Sequence, residues 1–127
     1  MKVVKGVVEK YSGLGRKLGY PTANITIDQD AEEGVFLAHT SFPPLEGEGK
    51  GGVKLPSIIF IGAPETFGET DKRLESHILD FSGDLYGKEI EVKIIKKLRD
   101  NRKFESARDL IRQMQLDELA ARKHFGI

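Results

Sequence analysis

Thr22 and Asn24 stand two residues apart in the segment GRKLGYPTAN, residues 15–24. On an extended chain that spacing points a hydroxyl and an amide oxygen the same way. Pro21 fixes its own φ and pushes Tyr20 towards extended geometry, so the segment is a loop leading into a short strand. Gly13, Gly15 and Gly19 let the backbone come close to a ligand. Two hard oxygen donors side by side suit Mg²⁺, which takes few protein ligands and completes its shell with water and phosphate oxygens. Arg16 and Lys17 would then face the phosphates, which makes Gly13, Gly15, Arg16, Lys17, Thr22 and Asn24 the candidate nucleotide-binding residues, with Thr22 and Asn24 at the metal. The same composition also fits a glycine-rich turn whose Thr and Asn only satisfy backbone groups.

A second group lies in LESHILDF, residues 74–81. Period-two alternation puts Glu75 and His77 on one strand face with Leu79 and Phe81. A carboxylate within hydrogen-bond reach of a hydroxyl can orient it and take its proton, which makes Glu75 the candidate catalytic base. The alternatives are a solvated strand carboxylate at Glu75 and a hydrogen-bonded scaffold histidine at His77. The glycine-rich stretch 47–52 lacks the serine or threonine that a phosphate-binding loop needs after its lysine and reads as a hairpin tip.

The elements that must position these groups follow from the apolar pattern. Strands are expected at 3–8, 25–27, 34–40, 57–62, 73–81 and 89–97. In the last, Ile90, Val92 and Ile94 share one face while Glu91, Lys93 and Lys97 take the other. SGDLYG, residues 82–87, reads as a hairpin connection between the final two. After residue 104 the period changes: Ser106 and Asp109 resemble a capping box, and Ala107, Leu110, Ile111 and Met114 mark an amphipathic helix running towards Arg122, with Gly126 to end it. Short strands followed by one helix give a mainly β chain in α+β order, best arranged as a closed or nearly closed antiparallel barrel with the helix packed across it.

At 127 residues the chain fits a single domain, 1–127. Twenty Lys and Arg balance 20 Asp and Glu, so no polyanion-binding field is implied and nucleic acid is not the expected partner. The absence of cysteine removes disulfides, thiolate metal sites and cysteine nucleophiles together. No apolar run approaches the length of a membrane span, and a cytoplasmic chain without a membrane partner is expected.

The residues named so far resemble a known family. Gly15, Arg16, Leu18 to Tyr20 and Pro21-Thr22-Ala23-Asn24 are similar to the G-R-x-L-G-[F/Y]-P-T-A-N signature of the riboflavin kinase (flavokinase) family. Gly34-Val35-Phe36 resembles its following G-V-Y strand, GAPETFG (62–68) its G-x-N-P-T-F-G turn, and LESHILDFSGDLYG (74–87) its V-E-x-H-L-L-D-F-x-G-D-L-Y-G block. Leu98-Arg99, Lys103-Phe104, Ser106, Leu110-Ile111 and Gln113 follow its C-terminal pattern. The resemblance implies a six-stranded antiparallel Greek-key barrel of the riboflavin kinase type with a C-terminal helix. It implies transfer of the γ-phosphoryl of ATP to the 5′-hydroxyl of riboflavin, giving FMN and ADP, with Mg²⁺ as cofactor. It puts the catalytic glutamate on Glu75 and the metal and phosphate positions on Thr22 and Asn24. The adenylyltransferase domain often fused to such a module does not fit in this length, so the expectation is the kinase module alone, as a monomer.

Flavin recognition needs a slot for a flat, partly apolar ring, and the resemblance places it before and along the helix, at Arg99, Arg102 and Phe104. Guanidinium planes can stack on a ring or bond its carbonyl oxygens, and Phe104 would give apolar cover; surface charge with one core aromatic is the alternative. The loops 13–20 and 98–104 are expected to close over the two substrates. Two departures from the family pattern are visible. Glu9-Lys10-Tyr11-Ser12 stands where a glycine is usual, and Pro64-Glu65 replaces an asparagine and proline. Two other readings remain from the residues alone: a flavin-binding or regulatory protein on the same fold, and a barrel that binds RNA or protein.

Overall fold

The computed structural model describes residues 2–9, 22–28, 30–42, 53–62, 72–81 and 83–127. Their elements, in chain order, are β1 (Lys2–Val7), β2 (Ala23–Ile27), β3 (Gly34–Phe42), β4 (Val53–Gly62), β5 (Lys72–Ile78), β6 (Glu89–Arg99) and α1 (Ala107–Phe125). The six strands of the described residues form one sheet in the order β1-β6-β3-β4-β5-β2, with every neighbouring pair antiparallel. An isolated bridge joins the two edges: just past β1, the Glu9 N–H donates to the Asn24 carbonyl of β2 at 2.8 Å. That contact turns the sheet into a nearly closed barrel and removes an exposed edge.

Alternation along each strand divides the side chains between two cores. Ile25, Ile27, Phe36, Ala38, Ile59, Ile61, Leu74, Ile78, Ile90 and Val92 fill the interior. Val35, Leu37 and Ile58 point outward and, with Leu79, Phe60 and Leu98, meet Ala121 and Phe125 of α1. β3 is therefore buried on both faces, which is why its sequence reads as a near-continuous apolar run. The interior also holds three fully buried hydroxyls: Thr40 Oγ1 lies 2.8 Å from Ser57 Oγ and 2.7 Å from Ser76 Oγ. Ser57 gives its single proton to the Ala38 carbonyl at 3.1 Å, so Thr40 must donate to Ser57 and Ser76 to Thr40. The chain of donors satisfies the group without any charge.

The helix begins where its cap predicts. Ser106 is extended and accepts from Asp109 N at 3.2 Å, while Gly126, at φ 71°, closes the C-terminus with its N–H on the Arg122 carbonyl. It runs past Arg122 to Phe125, and Gly126 ends it as expected.

Two expectations are corrected. β5 ends at Ile78 rather than Phe81, because Asp80 takes a left-handed φ of 56° that no strand can continue. Residues 82–87 are also not a hairpin: β5 pairs with β4 and β2, while β6 pairs with β1 and β3. The local turn chemistry is there, with Asp84 Oδ1 accepting Tyr86 N–H at 2.9 Å and Gly83 and Gly87 at positive φ. The connection nevertheless crosses the barrel end and inserts Leu85 into the core. The expected tip at 47–52 lies outside the described residues, and Phe42 opposite Val53 frames the connection that contains it.

The closing seam is tight at Gly6, where an added Cβ would lie 3.1 Å from both Cβ and Cδ1 of the fully buried Ile25. Gly6→Val should destabilise the fold by about 1–3 kcal/mol through overpacking, seen as a drop of several degrees in thermal midpoint. An unchanged midpoint would show that the seam relaxes freely.

Candidate active site

Directly paired residues in a sheet project to the same face, so the register shows which side chains share the outer surface. One row runs Asn24 (β2), Glu75 (β5), Phe60 (β4), Val35 (β3) and Arg99 (β6). Candidate metal ligand, candidate base and candidate flavin contact therefore lie on a single line across the barrel. Three strand spacings separate Glu75 from Arg99, about 14 Å along the sheet. The middle of the row, Phe60 and Val35, is covered by α1, so its two ends are separate places on the surface.

At the β2 end the Thr22 hydroxyl donates to Asn24 Oδ1 at 3.4 Å and lies close enough to the Glu75 carboxylate to favour its charged form. Asn24 Nδ2 donates to the Thr22 carbonyl at 3.2 Å, which fixes the amide so that its oxygen faces the hydroxyl. The Asn24 side chain is on the outer face yet buried, since the β1 extension at Glu9 crosses it. Adjacent ligands of an octahedral Mg²⁺ lie about 3 Å apart, given Mg–O bonds near 2.1 Å, so the two oxygens fit such an ion with little adjustment. Among the described residues no cluster of three or more His, Asp or Glu offers a competing metal site.

Glu75 is half-buried, and burial raises its carboxyl above the ordinary glutamate range; the charge of Arg73 and the Thr22 hydroxyl pull partly against this. Arg73 shares the face two residues along, opposite Thr26. Its Nη1 donates to Glu9 Oε2 at 3.2 Å, and the same oxygen accepts from the Thr26 hydroxyl. Glu9, one of the departures from the family pattern, is thus held in the seam by its main chain and its carboxylate. His77 sits opposite Ile58, whose side chain belongs to the layer under the helix.

At the other end of the row Arg99 forks onto Asp117 of α1, with Nε to Oδ1 at 2.9 Å and Nη2 to Oδ2 at 2.8 Å, while Nη1 donates to the Asp100 carbonyl. Arg102 Nη1 donates to Gln113 Oε1 at 3.0 Å, and its guanidinium carbon stands 5.2 Å from the Phe104 ring centroid. Asn101 Nδ2 reaches back to the Ile61 carbonyl at 3.0 Å. Residues 99, 102 and 104 are therefore gathered at the β6–α1 junction, and Thr22, Asn24 and Glu75 at the β2–β5 pair. Gly13, Gly15, Arg16 and Lys17, the loop 13–20 and the Pro64-Glu65 departure lie outside the described residues.

Sequence reasoning gave no role to Asp117 or Glu9, and none to Gln113 beyond its place in the pattern. The signal for Asp117 was present: it falls between Met114 and Ala121 on the buried stripe, where an apolar residue is expected. Glu9 carried no comparable local signal, because the bridge that gives it a place joins residues 15 apart.

A small antiparallel barrel, closed through one backbone bridge and carrying a hard-oxygen pair beside a half-buried carboxylate, is the class these observations define. The chain belongs to the riboflavin kinase family, whose model, Flavokinase, matches residues 2–125. It is 36% identical over 126 residues to a bifunctional riboflavin kinase/FMN adenylyltransferase of Escherichia coli strain K12, covering 98% of this chain and 38% of that protein. The chain thus spans well under half the length of that relative. Among solved structures, one titled a macrolide-efflux protein from Streptococcus pneumoniae matches with a TM-score of 0.78 at 29% identity, over 94% of this chain and 38% of that one. Riboflavin kinase from Trypanosoma brucei matches in fold with a TM-score of 0.70 at 24% identity, over 98% of this chain and 79% of that one. The fold is the six-stranded antiparallel barrel with a C-terminal helix that the family resemblance implied. No helix of the described residues is long and apolar enough to cross a membrane.

In the metal-free protein the Glu75 carboxyl should titrate above the ordinary glutamate range, measured by ¹³C NMR, because burial disfavours its charged form. Thr22→Val and Arg73→Gln should each raise it further, since each removes a group that favours the carboxylate. An ordinary value in the unmodified protein would mean that the carboxyl is solvated.

Proposed function

We propose that this chain is a riboflavin kinase, moving the γ-phosphoryl of ATP to the 5′-hydroxyl of riboflavin. The observation that carries the reading is Glu75 paired across β2–β5 with Asn24, whose amide oxygen accepts from the Thr22 hydroxyl, inside a chain that matches the family over nearly its whole length. Thr22 Oγ1 and Asn24 Oδ1 would hold Mg²⁺, which when bound neutralises charge on the phosphates. The half-buried Glu75 accepts a hydrogen bond from the 5′-hydroxyl and takes its proton as that oxygen bonds to the γ-phosphorus. The bond from the γ-phosphorus to the bridging oxygen breaks, and ADP leaves with the electron pair. Because the transition state is loose, alignment and charge neutralisation supply most of the rate, and the base adds about 10²–10⁴-fold.

The flavin ring would lie at the β6–α1 junction against Phe104 and Arg102, with Arg99 behind them. Gly13, Gly15, Arg16 and Lys17 complete the nucleotide side in sequence. In this reading the partners are riboflavin or FMN and ATP or ADP, and the protein acts as a cytoplasmic monomer. A protein that binds flavin without turnover would share the ring slot but would have no use for a carboxylate set against a metal pair.

Incubation with riboflavin and MgATP or MgCTP, followed by chromatography for FMN, tests the reading; no FMN with either donor overturns it. Glu75→Gln should lower kcat by about 10²–10⁴ while riboflavin binding stays near normal, since the amide keeps the shape and cannot take the proton. Thr22→Val should weaken MgADP binding about tenfold or more, the loss expected for one oxygen that meets charge. Unchanged nucleotide affinity would remove Thr22 from the metal.

A further inference from the structure

We propose that Asp117 and Gln113 are positioning residues for the flavin, a buried relay through which one carboxylate sets the geometry of Arg99 and Arg102. The inference rests on the riboflavin kinase reading and goes beyond it, because both residues act through Arg99 and Arg102 rather than by meeting substrate themselves. Asp117 is only 2% exposed and lies on the stripe that α1 turns to the barrel. A carboxylate there is costly unless paired, and its partner is the last residue of β6, held through two hydrogen bonds. The fork therefore fixes the point where the strand becomes the loop.

Gln113, one helical turn earlier, extends the order outward. Its Nε2 donates to Asp117 Oδ1 at 2.9 Å, so its Oε1 must face the other way, and there it receives Arg102 Nη1 at 3.0 Å. An amide with both ends engaged cannot flip without losing two bonds. Arg102 is thereby aimed, and its guanidinium stays beside the Phe104 ring. The three candidate flavin contacts, at and just beyond the end of β6, inherit their positions from Asp117.

The same helix supplies a control. Arg122 forks onto Asp80 at 3.0 and 2.7 Å, the same chemistry near the far end of α1, but Asp80 is exposed and this pair lies apart from residues 99–104. Asp80 thus clamps α1 without a link to Arg99 or Arg102.

Steady-state kinetics and riboflavin fluorescence quenching on the full chain decide between these. Gln113→Leu should raise KM and Kd for riboflavin about three- to tenfold, with kcat and the MgATP KM within about twofold. Asp117→Asn should raise the riboflavin constants further, whereas Asp80→Asn should leave them unmoved. Riboflavin constants unchanged in Gln113→Leu, or moved equally by Asp80→Asn and Asp117→Asn, would overturn the relay while FMN formation by the unmodified chain keeps the function. If circular dichroism shows Asp117→Asn unfolded, the riboflavin constants of Gln113→Leu decide by themselves. An unmodified chain that neither binds nor phosphorylates riboflavin overturns both.

Discussion

Closure of the barrel at Glu9 and Asn24 is the constraint from which the rest follows. β2 has a full ladder only with β5, so without the bridge its N-terminal end would be the loose edge of an open sheet. The bridge fixes that end by one 2.8 Å backbone bond, and the seam below it closes on Gly6 and Ile25. Once the sheet is closed, alternation leaves no choice: Ile25 and Ile27 go inward, and Thr22, Asn24 and Thr26 go outward beside Glu75 and Arg73. A one-residue slip would bury the polar set and expose the apolar one. The register of the site is thus held by the core rather than by its own hydrogen bonds. At about 1.5–3 kcal/mol per buried aliphatic side chain, Ile25, Ile27, Leu74 and Ile78 outweigh the neutral contacts at Thr22 and Asn24, each about 1 kcal/mol.

How much of this was legible in the sequence follows the range of each interaction. Ser106, Gly126 and the helical period of residues 107–114 act within a turn or two, and the helix stands where they put it. The alternation of Glu75 with Ser76 and His77 likewise determined which side chains face out. The hairpin expected at 82–87 failed because Asp84, Gly83 and Gly87 specify a turn and carry no information about which edge the next strand joins. The row from Asn24 to Arg99 was equally hidden. It depends on four non-local pairings, and near Val35 the β3–β6 ladder shifts register, so spacing alone could not have aligned Arg99 with Glu75. Asp117 was visible as an anomaly in an apolar stripe, but its partner belongs to another element.

The two clamps on α1 show how burial sorts similar chemistry. Arg99–Asp117 sits in the protein with side chains 17% and 2% exposed, so removing either partner strands a charge and costs about 3–5 kcal/mol. Arg122–Asp80 has equal fork geometry, and its partners are 29% and 64% exposed. There water replaces a lost partner, and the pair orients the helix end more than it stabilises it. The helix is therefore fastened firmly at the middle of its buried stripe, next to the loop that would face the flavin, and loosely near its C-terminus.

The same sorting explains why the candidate base stands on the outer face and the hydroxyl chain inside. Ser76, the immediate neighbour of Glu75, points into the core, where the only polar groups tolerated are neutral ones that satisfy each other, as Ser76, Thr40 and Ser57 do. A carboxyl in that position would stay protonated and could not serve as a base. On a fully wet strand it would hold its charge but remain a weak, solvated base. Glu75 has an intermediate place: burial raises its proton affinity, while the Thr22 hydroxyl and the Arg73 charge keep the ionised form within reach. Glu9 holds that arginine in turn, since its carboxylate takes one Arg73 nitrogen. A residue outside the family pattern thus ties the arginine beside the candidate base to the seam that closes the barrel.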